Sequence, residues 1–221
     1  MSMETVDLIQ RLAMSVRPVR LLPPPWLRTA HWLAIALSSM AIVVMLMSPR
    51  DDLLEKLSEA RFLIEQAAAV ATAVTAAIAA FCLVVPGHSR KRALLPIFPL
   101  VIWLGSLGYG CLQSWLQFDT EAWQVYPDWI CFPSIVMVGA VPALTMVIML
   151  RRGAPMAPRL TVSLGALAAA AVGNFGLRLF HYQDASLMVL IWQFGSVALL
   201  SALAGWSGGS ILHWPHAKIT S

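Results

Sequence analysis

Two thiols and a few soft side chains are the residues of this 221-residue chain whose types and positions suggest chemistry. Cys111 closes the third apolar run and Cys131 opens the fourth. If each run crosses a bilayer once, both sulfurs face the same compartment. An oxidising compartment permits a disulfide there if the Cα atoms come within about 7 Å. Cysteine is also a common small packing residue, so pairing and packing both stay open. Met45 and Met47 follow the first run, His181 follows the fifth and Met188 opens the sixth, all at that same face. Thiolate with thioether would favour copper(I) over harder metals. The plainer role of the methionines is lipid contact or packing, with His181 and Asp184 meeting in a polar loop. Cys82 falls at the opposite end of the second run, where a reduced thiol is expected.

Six apolar runs position these groups: Ala30 to Met47, Ile64 to Val85, Leu94 to Gln113, Ile130 to Leu150, Leu160 to Phe180 and Leu187 to Ser207. As helices rising about 1.5 Å per residue, each is long enough for a hydrocarbon core of about 30 Å. A composition 59% hydrophobic and 12% charged, with the apolar residues in long runs, is that of an integral membrane protein. The expected fold is all-α, a six-transmembrane-helix bundle with a short amphipathic N-terminal helix. Residues 1–29 form the N-terminal segment, 30–207 the bundle and 208–221 the tail.

Eleven of the fifteen Lys and Arg residues fall on one side of this pattern: Arg11, Arg17, Arg20, Arg28, Arg90, Lys91, Arg92, Arg151, Arg152, Arg159 and Lys218. Arg50, Lys56, Arg61 and Arg178 fall on the other. Positive charge marks the cytosolic side, so both termini are expected in the cytosol. The net charge of +4 then reflects anchoring rather than a nucleic-acid surface, since the basic residues form no continuous stripe. The first run begins after a proline tract and leaves through Met47-Ser48-Pro49 without a small-residue cleavage pattern, as an uncleaved anchor would.

Within residues 5–16, Val6, Ile9, Leu12, Ala13 and Val16 share one helical face, with Thr5 as the expected N-cap. Such a helix can lie on a membrane surface or enter a partner's groove. Pro18 ends it, Pro23 to Pro25 form a stiff spacer, and Trp26 and Arg28 anchor the start of the first span. Loop one, rich in Asp51, Asp52, Glu55, Lys56, Glu59 and Arg61, reads as solvated surface. Trp115, Trp123, Tyr126 and Trp129 suit an interfacial belt. Gly165, Ala169 and Gly173 have the spacing of a close helix contact, and Asn174 is expected to hydrogen-bond a neighbouring helix. Glu65, the one acid at the apolar runs, is expected to reach water or pair with Arg61.

Enzyme motifs are missing. There is no Cys-x-x-Cys redox centre, phosphate-binding loop or His-Glu-x-x-His sequence. Neither an enzyme nor a bound cofactor is expected.

The phrases Arg17-Pro-Val-Arg-Leu-Leu-Pro-Pro-Pro-Trp26, Gly108-Tyr-Gly-Cys111, Trp129-Ile-Cys131, Arg151-Arg-Gly-Ala-Pro155 and Leu179-Phe-His-Tyr-Gln-Asp-Ala-Ser-Leu-Met-Val-Leu-Ile-Trp192 recur in order along nearly the whole chain. With the six spans, they resemble the NrsF family, negative regulators of sigma F. The resemblance implies a bacterial inner-membrane anti-sigma factor. Its partners would be a cytosolic extracytoplasmic-function sigma factor and the lipid bilayer, with no direct nucleic acid. It also implies that Cys111 and Cys131 matter to a stress response, and it makes the Val6, Ile9, Leu12, Val16 face a plausible sigma-binding element. Gln193 stands where many members are expected to carry histidine, which weakens any shared metal role in that span. A small transporter and a membrane thiol-redox protein are the other readings. Glu65 speaks for the first, but no paired Gly/Pro breaks mark inverted repeats. The missing Cys-x-x-Cys opposes the second.

Overall fold

The computed structural model describes residues 3–15, 22–116, 131–180 and 187–211, without the side chains of some helix-end residues, among them Cys111, Cys131 and Met188. The described elements are helical: α1 (Met3–Ser15), α2 (Pro25–Met47), α3 (Leu53–Lys56), α4 (Ala60–Leu83), α5 (Ile97–Leu116), α6 (Cys131–Leu150), α7 (Pro158–Phe180) and α8 (Leu187–Ile211), with a 3-10 turn over Arg90–Leu94. Prolines start two of the long helices, at Pro25 and Pro158, where the missing N–H costs no intrahelical bond. Thr5, expected as a cap, lies inside α1, which starts two residues earlier.

Among the described residues, four stretches are long and apolar enough to cross a membrane: Pro25–Met47, Ala60–Leu83, Arg90–Tyr109 and Pro158–Phe180. The expectation was six. Over their described side chains, α6 and α8 contribute the shorter apolar segments Val136–Leu150 and Val197–Gly208.

The long helices pack in three layers. α4 and α7 form the middle one, α2 and α6 lie on one side and α5 and α8 on the other. The most apolar window is 67% buried in α4 and 72% in α7, against 22% in α2, so the middle pair is the core. Small side chains permit this. Ala69, Ala73, Ala76, Ala77 and Ala80 of α4 and Ala168 to Ala171 of α7 are buried, and alanine combines high helix propensity with a thin contact surface. A Cβ on Gly165 would come within 2.8 Å of Met146 Cγ, and one on Gly176 within 2.7 Å of Met40 Cγ. The Gly165 and Ala169 register therefore sets the α6–α7 contact, where a Cβ on Gly139 would come 3.6 Å from the Ala169 carbonyl oxygen. The outer layers turn Ile42, Leu46, Phe98, Val101, Leu144 and Trp206 outward, an apolar girdle that water would not stabilise.

The loops with Arg90 to Arg92 and Arg151 to Arg159 gather at one end of the bundle, here the basic end. Both are fastened to the end of α4. Ala154 N–H donates to the Val84 carbonyl at 3.2 Å, and the Arg92 guanidinium contacts Cys82 Sγ at 3.3 Å. A Cβ on Gly153 would collide with Val84 Cγ1. Val84 is fully buried, so it has nowhere to go. Gly153→Val is therefore expected to destabilise the bundle by about 1 to 3 kcal/mol, the usual cost of overpacking, read as an earlier unfolding transition in detergent.

Candidate functional site

Three features carry the functional interest: a buried ion pair, a clamp at the basic end and an exposed amphipathic helix. Glu65 of α4 and Arg178 of α7 face each other across the middle layer, with Arg178 Nε 3.2 Å from Glu65 Oε1 and the side chains 1% and 3% exposed. The Phe62 ring lies 5.6 Å from the Arg178 guanidinium carbon, and Gln66 Nε2 donates to the Phe175 carbonyl at 3.3 Å. Glu65 thus does not reach water, and it pairs with Arg178 rather than the expected Arg61; antiparallel packing of α4 on α7 brings it an arginine from far along the chain. Asn174 is fully buried one turn before Arg178, and neither atom of its amide finds a hydrogen-bond partner among the described residues. The interhelical bond expected of Asn174 is made by Gln66 instead.

Beside this pair, loop one is not wholly solvated. The Arg50 side chain is buried and grips Asp52 through two bonds of 2.6 Å, while its backbone N–H donates to the Leu179 carbonyl at 3.1 Å. The Arg50 guanidinium holds the Asp52 carboxyl below its ordinary range. Lys56 and Glu59 form a more exposed pair at 2.9 Å.

At the basic end, Arg28 is buried rather than displayed as an anchor. Its Nη2 donates to the Met149 carbonyl at 2.5 Å, and the guanidinium lies 4.5 Å from the centre of the Phe81 ring. One turn on, Trp32 Nε1 donates to the Pro142 carbonyl at 2.9 Å. These contacts join α2, α4 and α6. Trp26, by contrast, is exposed.

Helix α1 is exposed instead. Every residue from 5 to 14 is exposed, including Val6, Ile9 and Leu12. Asp7 and Arg11 pair at 2.8 Å, one turn apart on its surface. Val16, the fourth residue of the expected face, lies outside the described residues.

The soft-ligand set is not assembled among the described residues. Met45 and Met47 project outward, and His181 and the side chains of Met188, Cys111 and Cys131 lie outside them. The described residues include no cluster of three or more His, Cys, Asp or Glu suited to a metal. Cys111 sits in the last two turns of α5, and Cys131 is the first residue of α6.

The family model described as a negative regulator of sigma F matches residues 12–214. The chain belongs to the NrsF family. No curated protein and no solved structure matches it. An NrsF regulator has a sigma factor as its partner, and the match begins at Leu12, so it includes only the end of α1. The ion pair and the Arg28 clamp both lie within it. Sequence reasoning missed both, because it counted Arg28 and Arg178 as loop charges. The signal was available: Arg178 already falls inside the fifth run, Leu160 to Phe180, and Arg28 falls inside a helix once Pro25 is taken as its start.

Removing one partner leaves a buried charge alone, whereas replacing both with apolar groups removes the desolvation penalty as well. Glu65→Ala is expected to cost about 3 to 5 kcal/mol, and Glu65→Leu with Arg178→Met to recover most of that loss. Unfolding in detergent measures both.

Proposed function

We propose that this NrsF-family chain is a six-span protein of the bacterial inner membrane with both termini in the cytosol. It holds an extracytoplasmic-function sigma factor inactive through α1 and releases it when envelope stress acts on Cys111 and Cys131. The observation that carries the docking step is α1: an exposed apolar face of Val6, Ile9 and Leu12, in a family whose partner is a sigma factor. A partner groove can bury that face. The two basic loops support the orientation, since the positive-inside rule puts them in the cytosol with the N-terminal arginines.

Burying Ile9 and Leu12 contributes roughly 1.5 to 3 kcal/mol each, and charges there add a desolvation cost. Ile9→Asp with Leu12→Asp should therefore weaken sigma capture by about a hundredfold or more, with normal membrane abundance. Co-purification from detergent reads the loss. Undiminished capture would move the docking surface to the loops at Arg90 to Arg92 and Arg151 to Arg159.

The release step rests on the two thiols sharing one compartment in the proposed topology, either to bond each other or to bind an oxidant or soft metal together. Acting as one unit, they should not contribute additively. Cys111→Ser and Cys131→Ser are each expected to disturb the stress response of a sigma-dependent reporter to the same extent, with little added by the double variant. Cys82→Ser should leave it unchanged, because serine can still accept from Arg92. A normal response in one single variant and a lost response in the other would leave one reactive cysteine in place of a pair.

A further inference from the structure

Between α5, α7 and α8 lies a cavity of about 270 Å³, walled by Trp103, Leu107, Leu164, Leu167, Val197 and Ala198 among others. Its surface is almost wholly apolar. It belongs to the basic half of the bundle. The residues it takes from α5 and α7 come from the first halves of those helices and, with Leu107, the middle of α5; both helices begin at the basic loops. Ala198 on its rim is exposed, so the cavity opens between α5 and α8 toward the surroundings of the bundle. A space of this kind facing hydrocarbon is closed by the hydrocarbon itself, since lining atoms without neighbours forfeit their dispersion contacts.

The charge pattern says which lipid. Arg159 is exposed, next to the lining residue Leu160 and one turn from Ser163. Close packing of α8 brings Gly208 against the Arg159 backbone, so this arginine stands where α7 and α8 meet below the cavity. Arg90 and Lys91, also exposed, precede α5 on the other side. The sequence places no Asp or Glu between Glu65 and Asp119, nor between Asp128 and Asp184, so neither basic loop carries an acidic residue. Basic residues at the mouth of an interhelical pocket suit an anionic headgroup.

We propose that this cavity holds an acyl chain of an anionic phospholipid, with its phosphate at Arg159 and the Arg90–Lys91 turn. The inference rests on the membrane placement proposed above and not on sigma docking, so sigma capture and lipid binding can fail separately.

Trp103 reports on it. The side chain is 3% exposed, so quenchers in bulk lipid reach it poorly, whereas a chain inside the cavity touches it. The full chain is reconstituted in phosphatidylcholine vesicles containing a minor fraction of acyl-brominated phosphatidylglycerol, or the same fraction of brominated phosphatidylcholine. The difference between the full chain and Trp103→Phe isolates the Trp103 emission. Half-quenching is expected at a lower mole fraction of phosphatidylglycerol, by about fivefold for each basic residue engaged. Arg159→Gln should lose about fivefold of that preference, and Ala198→Phe, which fills the cavity mouth, should abolish Trp103 quenching by either lipid. If Ala198→Phe does not fold, the lipid pair and Arg159→Gln decide alone. Equal quenching by both headgroups, no quenching, an undiminished preference in Arg159→Gln, or cross-linked dimers with Trp103 unquenched would overturn the proposal; the last would give the groove to a second copy of the chain.

Discussion

The contact between α4 and α7 is the constraint on which the rest of the bundle depends. An ion pair buried between two helices is tolerable only if the charges meet directly, because a packed apolar interior offers neither water nor counterion. Glu65 and Arg178 meet at 3.2 Å because the faces around them are built of alanine. Larger residues at Ala69, Ala73 or Ala171 would push the helices apart and strand both charges. The alanine content of these helices and the presence of a buried acid are therefore one property of the sequence.

Helix positions were largely legible because long apolar runs can satisfy their backbone in few ways. The expected run Leu160 to Phe180 became α7 (Pro158–Phe180), and Ile130 to Leu150 became α6 (Cys131–Leu150). Starts were less legible: α2 begins at Pro25 rather than Ala30, which carries Arg28 into the bundle. Partners were least legible. Arg61 is Glu65's neighbour one turn back on the same helix, and local spacing favours it; choosing Arg178 requires knowing that α4 packs antiparallel on α7. Hydropathy sets which segments span but not which pairs touch, and it gave no hint of the cavity behind Trp103.

The two ends of α4 differ in kind. At one end, Glu65 is tied to α7 by charge, beside the Arg50 contact to the end of α7. At the other, Val84 and Cys82 hold both basic loops, one through a backbone bond and the fit of Gly153, the other through Arg92. A helix fixed at both ends moves as a rigid unit rather than bending, since its own hydrogen bonds resist deformation more than its side contacts do. Displacing α4 relative to α7 therefore displaces the basic loops.

The layer order puts a further condition on any thiol trigger. Among the described residues, α5 packs on α4 and α8, and α6 packs chiefly on α2 and α7, so the helices carrying Cys111 and Cys131 belong to opposite outer layers. A bond between the sulfurs needs Cα atoms within about 7 Å, whereas a single packed helix layer already separates axes by about 8 to 10 Å. Joining or parting the two residues must then draw the outer layers together or release them at that end, and the middle layer bears the force. The groups there are Glu65 and Arg178, whose pairing is all-or-none on the scale of a side chain. A thiol event that shifts α4 against α7 would have to strain or remake this pair, and the basic loops at the far end of α4 would move with it.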